Sequence, residues 1–559
     1  MDDACASTRG SDRASAAQLT PRERRLCEVV LQLGADAFSS LISCLVAAFT
    51  PEGQLQRFSD GLDDSDDVAA LTAQSRPDPP HEMIGAMTRA SLSSLDLALG
   101  PLDGRYRADA APLLDYLSEA ALNRNRIHVE VEWFIHLADN RVVPGTRELL
   151  DDEKSQLRGI VENYGQETIE QLATFEAVTV HDVKAVEYTI KEALSSIGAD
   201  DLSELVHFCC TSEDINNLSY GVGIKGAVED IWLPRAAALI DQLASMAEEL
   251  AEVPMLSHTH GQPATPSTMG KELGVFVHRL RRQYERIRDT EFLGKINGAT
   301  GTYSAHTVTV PEADWPALAR EFVKKLGLTF NPVTTQIESH DWQAELFADI
   351  ARFNRIAHNL ATDMWTYISI HYFKQIPVEG ATGSSTMPHK VNPIRFENAE
   401  ANLEISCSLL DTLAATLVTS RMQRDLTDST SQRNIGVALG HSVLALGNLV
   451  KGLEKLAIDT DALDADLESN WEVLAEAIQS VMRAAYLTGV PGMDNPYEKL
   501  KDLTRGHRVD RAELQSFVHS LGLPQEDADR LAALSPATYT GLAAKIAAEA
   551  VSAWRAVAR

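Results

Sequence analysis

The chain has 559 residues, which is too long for one compact core and predicts more than one structural unit. Its net charge of −30 argues against nucleic acid as a partner, because a nucleic-acid-binding protein neutralises phosphates with a basic surface. A hydrophobic content of 44% and a mean hydropathy of −0.15 are typical of a soluble globular protein. The longest apolar run near the N-terminus, 41–49, is far below the ~20 residues that a membrane helix requires, so no membrane partner is expected.

The six cysteines indicate a reducing compartment. Cys209 and Cys210 are adjacent and no C-x-x-C occurs, which gives neither a disulfide framework nor a zinc-ligand pattern. The chain opens on Met-Asp-Asp, which lacks the basic start of a secretory signal. We therefore expect a cytoplasmic location, with an organelle as the alternative because Arg9, Arg13 and several serines lie near the N-terminus.

Residues 1–90 differ in character from the rest of the chain. An acidic stretch at 60–67 is followed by a proline-rich stretch at 75–80 that is typical of a linker, and 22–49 could form a short helix. The interpretation is an N-terminal extension that is disordered or weakly ordered.

From residue 99 onward helical periods dominate, and three stretches repeat apolar residues at spacings of four and three. Such spacing places each set on one face of a long helix, which must bury that face against other helices. The sets are Leu346, Ile350, Phe353, Ala357, Leu360, Met364 and Tyr367; Leu403, Leu410, Leu413 and Leu417; and Leu439, Val443, Leu446, Val450 and Leu453. The pattern predicts a helical bundle at 206–459, flanked by smaller helical units at 91–205 and 460–559.

Two segments in the first half present histidines. In Thr179-Val180-His181-Asp182 the histidine adjoins a carboxylate. In the segment 257–266, Gly261 and Pro263 are expected to break regular structure around His260, whose imidazole titrates near neutral pH and suits acid catalysis. Alternatively, His258 and His260 are metal ligands or structural residues, although no H-E-x-x-H accompanies them.

Hydroxyl groups are concentrated in two further segments. Thr211-Ser212-Glu213-Asp214 resembles a helix-start capping sequence, and a helix N-terminus also offers free N–H groups to anions. The segment 383–393 contains two serines, a lysine and an asparagine between Gly383 and Pro393, with no regular period. Taken alone, this composition is most typical of a surface turn. The alternative is a loop in which a hydroxyl removes a carbon-bound proton while cations and N–H groups hold the developing charge.

An acidic protein that binds an anionic substrate needs a cleft with its own cations. The second half of the chain offers Lys390, Arg421, Arg424 and Arg433.

The loop 383–393, which reads Gly-Ser-Ser-Thr-Met-Pro-His-Lys-Val-Asn-Pro, resembles the signature loop of the fumarase/aspartase superfamily. Its continuation into Ile394-Arg395-Phe396-Glu397-Asn398 is most similar to the adenylosuccinate lyase family of bacterial type, and similar segments cover roughly four fifths of the chain. The resemblance implies an all-α, three-domain fold with a central bundle of long helices. It also implies a homotetramer in which each active site collects loops from three subunits.

The resemblance further implies a reaction, namely β-elimination of fumarate from adenylosuccinate to give AMP. The same enzyme would release fumarate from the succinyl-carboxamide ribotide of purine biosynthesis (SAICAR) to give AICAR. The substrates are small nucleotides, and neither a cofactor nor a metal is implied. By the same resemblance Ser384 is the general base, with Ser385 as the close alternative, and His260 is the general acid. Lys390 and Asn392 hold the substrate carboxylates and the intermediate.

The remaining roles are also implied by the resemblance. His181 contacts the nucleotide phosphate or assists His260. The other residues implied to bind substrate are Arg105, Tyr106, Asp182, Thr211, Ser212, Gln336, Ser385, Asn392, Asn398, Arg424, Ser429 and Arg433. Two positions depart from the family pattern, since Val180 replaces a usual Asn and His258 replaces a usual Arg or Lys.

Two alternatives remain open from the sequence. One is another fumarate-forming relative such as an argininosuccinate lyase, which shares the loop but lacks the set of Arg424, Ser429 and Arg433. The other is a noncatalytic scaffold that has kept the bundle, against which the intact Ser384, His260 and Lys390 argue.

Overall fold

The computed structural model describes residues 98–377, 387, 389–504 and 509–558, with the side chains of 502–504 excepted. The stretch Leu92–Arg559 forms one compact unit. The extension predicted for 1–90 lies outside the described residues, as do its predicted helix and linker.

Helices make up most of the described residues. Those of eight or more residues are α1 Glu119–Asp139, α2 Asp151–Glu162, α3 Gln166–Thr179, α4 Asp182–Ser196, α5 Ser212–Gly226, α6 Leu233–Glu249, α7 Met269–Arg288, α8 Trp315–Lys325, α9 Asp341–Ser369, α10 Ile394–Leu417, α11 Ile435–Leu453, α12 Thr460–Glu468, α13 Ala475–Leu487, α14 Pro496–Thr504, α15 Arg511–Ser520, α16 Gln525–Ala532 and α17 Ala543–Val557. Shorter α-helical turns are Arg107–Ala110, Leu114–Leu117, Ser304–Thr309 and Thr427–Gln432, and a π-helical segment, Ala227–Trp232, separates α5 from α6. Short 3-10 segments are Ala111–Leu113, Asp200–Leu205, Trp471–Leu474 and Pro536–Thr538.

Three pairs of short strands accompany the helices. Strands β1 Pro254–Thr259 and β2 Gln262–Thr268 form an antiparallel hairpin. Strands β3 Leu293–Gly294 and β4 Thr329–Phe330 pair in parallel, while β5 Phe373–Gln375 and β6 Leu456–Ile458 pair antiparallel. Each pair is too small to form a layer of its own, so the architecture is all-α.

The long helices form the bundle that the apolar spacing predicts. Helix α9 packs on α10, α10 packs on α11, and α6 and α7 complete the group. The stripes predicted at 346–367, 403–417 and 439–453 lie on α9, α10 and α11, and they are buried except for the partly exposed Tyr367 and Val450. This prediction is confirmed.

A buried polar cluster fixes the register of the bundle helices. Asn354 on α9 donates to Ser406 on α10 at 3.1 Å and accepts from Ser442 on α11 at 2.8 Å. The indole N–H of Trp232 donates to Ser442 at 2.9 Å. Because a buried polar group without a partner is costly, sliding one helix past another would break these bonds.

Two smaller apolar clusters flank the bundle core, one within 127–206 and one within 471–531. The last helix, α17, packs back on α6 and α7, where the indole of Trp554 donates to Asp241 at 2.6 Å. The division into domains at 205/206 and 459/460 stays a prediction.

Among the described residues, one stretch, Thr427–Leu453, is long and apolar enough by composition to cross a membrane. It contains α11, and 72% of its most apolar window is buried inside the fold, as expected for a core helix.

Candidate active site

The predicted helix start at Thr211 is observed. Ser212 is the first residue of α5, and the carboxylate of Asp214 accepts the backbone N–H of Thr211 at 2.9 Å. Thr211 and Ser212 are half-buried. Their hydroxyls therefore lie at the N-terminal end of α5, where N–H groups and the helix dipole favour an anion.

Asp214 also joins this helix start to the segment 295–298. Its carboxylate lies 2.8 Å from Lys295 Nζ, and both side chains are fully buried. It accepts the backbone N–H groups of Asn297 at 2.9 Å and Gly298 at 3.1 Å. The sequence motif contained Asp214, but the buried Lys295 carries no local pattern that would have indicated it.

His181 lies immediately before α4 and caps it. Its Nδ1 accepts the backbone N–H of Lys184 at 3.3 Å, and its side chain is about half exposed (51%). Because Nδ1 is occupied as an acceptor, the neutral ring carries its proton on Nε2. His181 therefore presents an N–H donor, which suits contact with a phosphate or carboxylate oxygen.

Asp182, the first residue of α4, faces two arginines. Its Oδ2 lies 2.7 Å from Arg126 Nη2 and 3.7 Å from Arg433 Nη2. Burial by itself raises the pKa of Asp182, but the charge and hydrogen bond of Arg126 outweigh burial and leave the pKa below its usual value. Asp182 is therefore ionised at neutral pH.

Arg126, on α1, connects this aspartate to helix α5. It is almost fully buried (1% exposed), and its Nε donates to Asn216 Oδ1 at 2.9 Å. The side-chain amide of Asn216 in turn donates to Glu213 Oε1 at 2.7 Å. Neither Arg126 nor Asn216 was predicted as a site residue.

The buried Glu213 contacts Arg424, which in turn contacts Gln336. Arg424 Nη2 lies 2.8 Å from Glu213 Oε1, and Arg424 Nη1 donates to Gln336 Oε1 at 3.1 Å. Gln336 donates to the carbonyl of Ala299 at 3.1 Å. We call the connected set Asp182, Arg126, Asn216, Glu213, Arg424 and Gln336 the arginine network.

An open groove of about 670 Å³ adjoins this end of the arginine network. Gln336 and Arg424 line it together with Thr300, Arg421 and Met422. A polar ligand could therefore reach the network from solvent.

Arg433 adjoins the other end of the network through Asp182. It follows the short helix Thr427–Gln432, and its Nη1 donates to the carbonyl of Ser429 at 3.2 Å and to the Ser429 hydroxyl at 3.4 Å. The carboxylate of Glu119, the first residue of α1, lies 3.3 Å from Arg433 Nε and 3.4 Å from Arg433 Nη2. Five predicted residues, Asp182, Gln336, Arg424, Ser429 and Arg433, thus lie in one connected polar cluster.

A second group of predicted residues lies on α10 and the first helical turns. The amide of Asn398 donates to the Tyr106 hydroxyl at 3.2 Å, and its oxygen accepts from Asn448 at 2.9 Å. Arg105 is exposed, with its guanidinium 5.9 Å from the centre of the Tyr106 ring.

His260 lies at the tip of the β1–β2 hairpin. Strand residues Thr259 and Gln262 pair with each other, which leaves His260 and Gly261 as a two-residue turn with φ of +55° and +70°. Positive φ at both positions is typical of a type I′ turn. The expected break in regular structure is therefore observed at Gly261, whereas the expectation for Pro263 is wrong, because Pro263 lies within a paired strand.

The hairpin presents His260 outward. The side chain is exposed, and no hydrogen bond or ion pair among the described residues joins it to the arginine network. His258, on the same hairpin, lies 3.5 Å from the carboxylate of Asp466 at the end of α12, and the Tyr372 hydroxyl donates to the same Asp466 oxygen at 2.5 Å. His258 thus helps to join the hairpin to α12.

The signature loop is described in part. Ser384 and Ser385 lie outside the described residues. Lys390 is exposed, with its backbone N–H donating to Met387, and Asn392 lies just before α10 with its carbonyl accepting from Ile394 at 2.9 Å. Within the described residues, no hydrogen bond or ion pair brings Lys390, His260 and the arginine network together.

Metal ligation was the alternative considered for the histidines. In the part of the chain that the structure describes, no group of three or more His, Cys, Asp or Glu side chains is arranged to hold a metal ion.

Two family profiles match the sequence over most of the compact unit. The profile described as Lyase matches residues 104–405, and the profile described as Adenylosuccinate lyase C-terminal matches residues 420–540. The chain is 47% identical over 453 residues to the adenylosuccinate lyase of Escherichia coli (strain K12), covering 81% of this chain and 98% of that protein. It is 46% identical over 450 residues to the adenylosuccinate lyase of Haemophilus influenzae, covering 80% and 97%. The chain belongs to the adenylosuccinate lyases.

Solved structures of other enzymes share the fold. A fumarate lyase from Mesorhizobium sp. BNC1 has a TM-score of 0.63 at 17% identity, covering 79% of this chain and 97% of its own. The 3-carboxy-cis,cis-muconate lactonizing enzyme from Pseudomonas putida has a TM-score of 0.62 at 20% identity, covering 80% and 98%. The predicted all-α fold and membership of the fumarase/aspartase superfamily are confirmed, and the match at 420–540 favours the adenylosuccinate branch of these lyases.

Proposed function

We propose that this lyase eliminates fumarate from adenylosuccinate to give AMP and from SAICAR to give AICAR, with residues of the arginine network binding the nucleotide. The observation that supports this most directly is the convergence of Asp182, Gln336 and Arg424 in one network. These residues lie far apart in the sequence, and the family resemblance assigned all of them to substrate. Both substrates carry a phosphate and two carboxylates, which guanidinium groups bind well.

In the proposed mechanism Ser384 removes a proton from the carbon beside one succinyl carboxylate. The electron pair of the broken C–H bond moves into that carboxylate, so the intermediate carries extra negative charge. Lys390 and Asn392, with N–H groups of the loop, stabilise this charge as it develops. A serine hydroxyl is a weak base, so positive charge beside Ser384 must favour its deprotonated form.

The second half of the reaction breaks the bond between carbon and nitrogen. The electron pair returns from the carboxylate to form the double bond of fumarate, and His260 donates a proton to the departing nitrogen. His181 donates from Nε2 to an anionic group of the nucleotide, which agrees with the tautomer inferred from the bond between Lys184 N–H and Nδ1. The substrate carboxylate itself accepts the electrons, so the mechanism requires no cofactor.

The exposed position of His260 supports the second proposal, that each active site is shared between subunits of a homotetramer. A general acid must lie within hydrogen-bond distance of the nitrogen it protonates. In the single chain His260 lies at a hairpin tip without a contact to the arginine network. Association of the long helices would supply that contact from another subunit.

A cytoplasmic location is proposed on the basis of the bacterial relatives and the cysteine usage. An organelle would depend on residues 1–90, which lie outside the described residues.

The decisive experiment follows fumarate release from adenylosuccinate with the purified full chain, the Ser384→Ala variant and the His260→Asn variant. We expect turnover by the full chain and a loss of kcat by about 10²- to 10⁴-fold in each variant. Argininosuccinate serves as the control substrate and should not be cleaved. Near-normal kcat in either variant would contradict the corresponding role.

Shared sites can be tested by co-expressing the two inactive variants. If Ser384 and His260 act at one site from different subunits, mixed oligomers contain some sites with both residues intact and recover activity. If both residues come from the same chain, every site lacks one of them and the mixture stays inactive.

A further inference from the structure

Arg424 and Arg433, the two arginines that the proposed function assigns to the nucleotide, have different carboxylate partners. Arg424 pairs with Glu213, whose side chain is only 4% exposed and is held by a hydrogen bond from Asn216. Arg433 pairs with Glu119, whose side chain is 55% exposed. The first carboxylate is fixed in the core of the network, whereas the second lies at its rim.

The bonds between Glu119 and Arg433 are long for a charge-assisted pair. The distances of 3.3 and 3.4 Å exceed the 2.7–2.9 Å that strong pairs of this kind adopt. Exposed ion pairs of this type contribute little stability, since solvent screens them. Glu119 can therefore leave Arg433 at little cost.

Unfilled space lies beside the pair. Glu119 and Arg433 line a small cavity of about 50 Å³ together with Ser118 and Tyr220. Burial raises the pKa of Tyr220 to about 12, so its hydroxyl stays protonated at neutral pH. A group that replaced Glu119 on Arg433 would have space beside the guanidinium.

We propose that Glu119 is a displaceable counter-ion, which occupies Arg433 in the free enzyme and is replaced by the phosphate of the nucleotide. The proposal rests on the role given to Arg433 in the proposed function. A phosphate can bind the guanidinium through two oxygens, as a carboxylate does, and carries more charge. Glu119 then turns into solvent, which its exposure permits. The residue thus weakens nucleotide binding without contacting the nucleotide.

The competing explanation is that Glu119 orients Arg433 for the phosphate. The two roles predict opposite changes in nucleotide affinity when Glu119 is replaced. Removing a competitor makes binding tighter, whereas removing an orienting group makes binding weaker. A Glu119→Gln variant keeps the shape of the side chain and removes its charge.

We expect Glu119→Gln to lower KM for adenylosuccinate about two- to fivefold, the fold-change that corresponds to a weak exposed ion pair. The inhibition constant for AMP should fall by a similar factor. Adenosine lacks the phosphate, so its inhibition constant should not change. The effect on AMP should shrink as salt is raised, because exposed charges are screened.

Two matched variants sharpen the test. Glu213→Gln alters the buried partner of Arg424. It should raise KM for adenylosuccinate, because this carboxylate holds Arg424 in position and is not displaced. Glu549→Gln alters an exposed helix ion pair with Lys545 on α17 and should leave KM and the AMP constant unchanged. The thermal midpoint of Glu119→Gln should not exceed that of the unaltered chain, because an acidic residue at the first position of α1 favours the helix.

The proposal is overturned if Glu119→Gln leaves KM for adenylosuccinate and the inhibition constant for AMP unchanged or raises them. It is also overturned if the inhibition constant for adenosine falls as much as that for AMP. These outcomes are distinct from failure of the proposed function, in which the unaltered enzyme would release no fumarate from either purine substrate.

Discussion

The arginine network and the hairpin tip that carries His260 are built in opposite ways. In the network, Arg126 and Glu213 are buried, and each bonds to a partner distant in sequence. At the hairpin tip, His260 is exposed and bonds to nothing else in the described part of the chain. The contacts of the arginine network are thus made within a single chain. The hairpin tip has a defined backbone, but the His260 side chain has no bonding partner among the described residues.

In the proposed function, the arginine network binds the nucleotide and the hairpin tip takes part in the chemical step, so the two tasks belong to different regions. In the proposed function, cations that are already held in place reduce the cost of binding an anionic nucleotide, because only the exposed Glu119 has to move. His260, the proposed general acid, lies in contrast on a turn whose geometry is fixed by strand pairing, so that it can enter a site formed elsewhere. A substitution in the network should therefore affect folding and substrate binding, and a substitution at the hairpin tip should affect only turnover.

The largest expected effect is at the hairpin tip. His260→Asn should lower kcat by about 10²- to 10⁴-fold, because the leaving nitrogen would lose the proton donor that we propose for it. Asparagine followed by Gly261 is the preferred pair for a type I′ turn, so the hairpin should be retained. Fumarate release and a thermal unfolding curve measure the two quantities together.

For that variant the thermal midpoint should equal or exceed that of the unaltered chain. A loss of activity accompanied by unfolding would show that His260 supports the fold, and the contrast between the two regions would then be lost.

The next effect concerns the buried region. Lys295→Met should lower the free energy of unfolding by about 3–5 kcal/mol, since it leaves Asp214 buried without its cation. Urea titration monitored by circular dichroism measures the loss. The double variant Lys295→Met with Asp214→Asn should recover part of it, because the uncompensated charge is removed.

A loss below about 1 kcal/mol for Lys295→Met would mean that the N–H groups of 297 and 298 stabilise the carboxylate sufficiently. In that case the start of α5 depends on hydrogen bonds rather than on the buried ion pair.

Sequence patterns predicted the elements that depend on local spacing. The stripes on α9, α10 and α11 follow from helical periodicity, and the start of α5 follows from the capping sequence at Thr211. In each case the information lies within a few turns of the chain. Such patterns are reliable when neighbouring residues decide the structure.

The residues that complete the site could not be predicted in this way. Arg126 lies among polar residues on α1, and its partner Asn216 is 90 residues away, so no local pattern indicates either of them. His260 was found from its motif, but the hairpin was not, since Pro263 suggested an interrupted segment rather than a strand. Proline is tolerated there because an edge of a two-stranded pair needs no N–H from it.

A smaller effect is expected from the pair of His207 and Glu130. Their side chains lie 2.5 Å apart. Burial lowers the pKa of His207, but the hydrogen bond and charge of Glu130 outweigh burial and raise the pKa above its usual 6.5. The pair therefore contributes stability that is fully present below about pH 6.5 and is lost as pH rises through the raised pKa.

The thermal midpoint should accordingly fall as pH rises above about 6.5, and His207→Asn should make this fall shallower. Asparagine tolerates the φ of +57° at this position. Glu130→Gln should have the same effect on the slope, because it removes the group that raises the pKa. An unchanged slope in both variants would assign the pH dependence to other groups.

The smallest expected effect is at Val180, where the family pattern implied by the resemblance has Asn. Val180 follows α3 with φ of +51° and is 88% exposed. A β-branched residue is disfavoured in this left-handed conformation, whereas Asn adopts it readily. Val180→Asn should therefore raise the free energy of unfolding by about 1 kcal/mol, measured by urea titration.

Val178 provides the matched control, because it is 83% exposed but lies inside α3, where asparagine is no better than valine. If Val178→Asn stabilises as much as Val180→Asn, the gain comes from replacing an exposed apolar side chain by a polar one and not from backbone conformation.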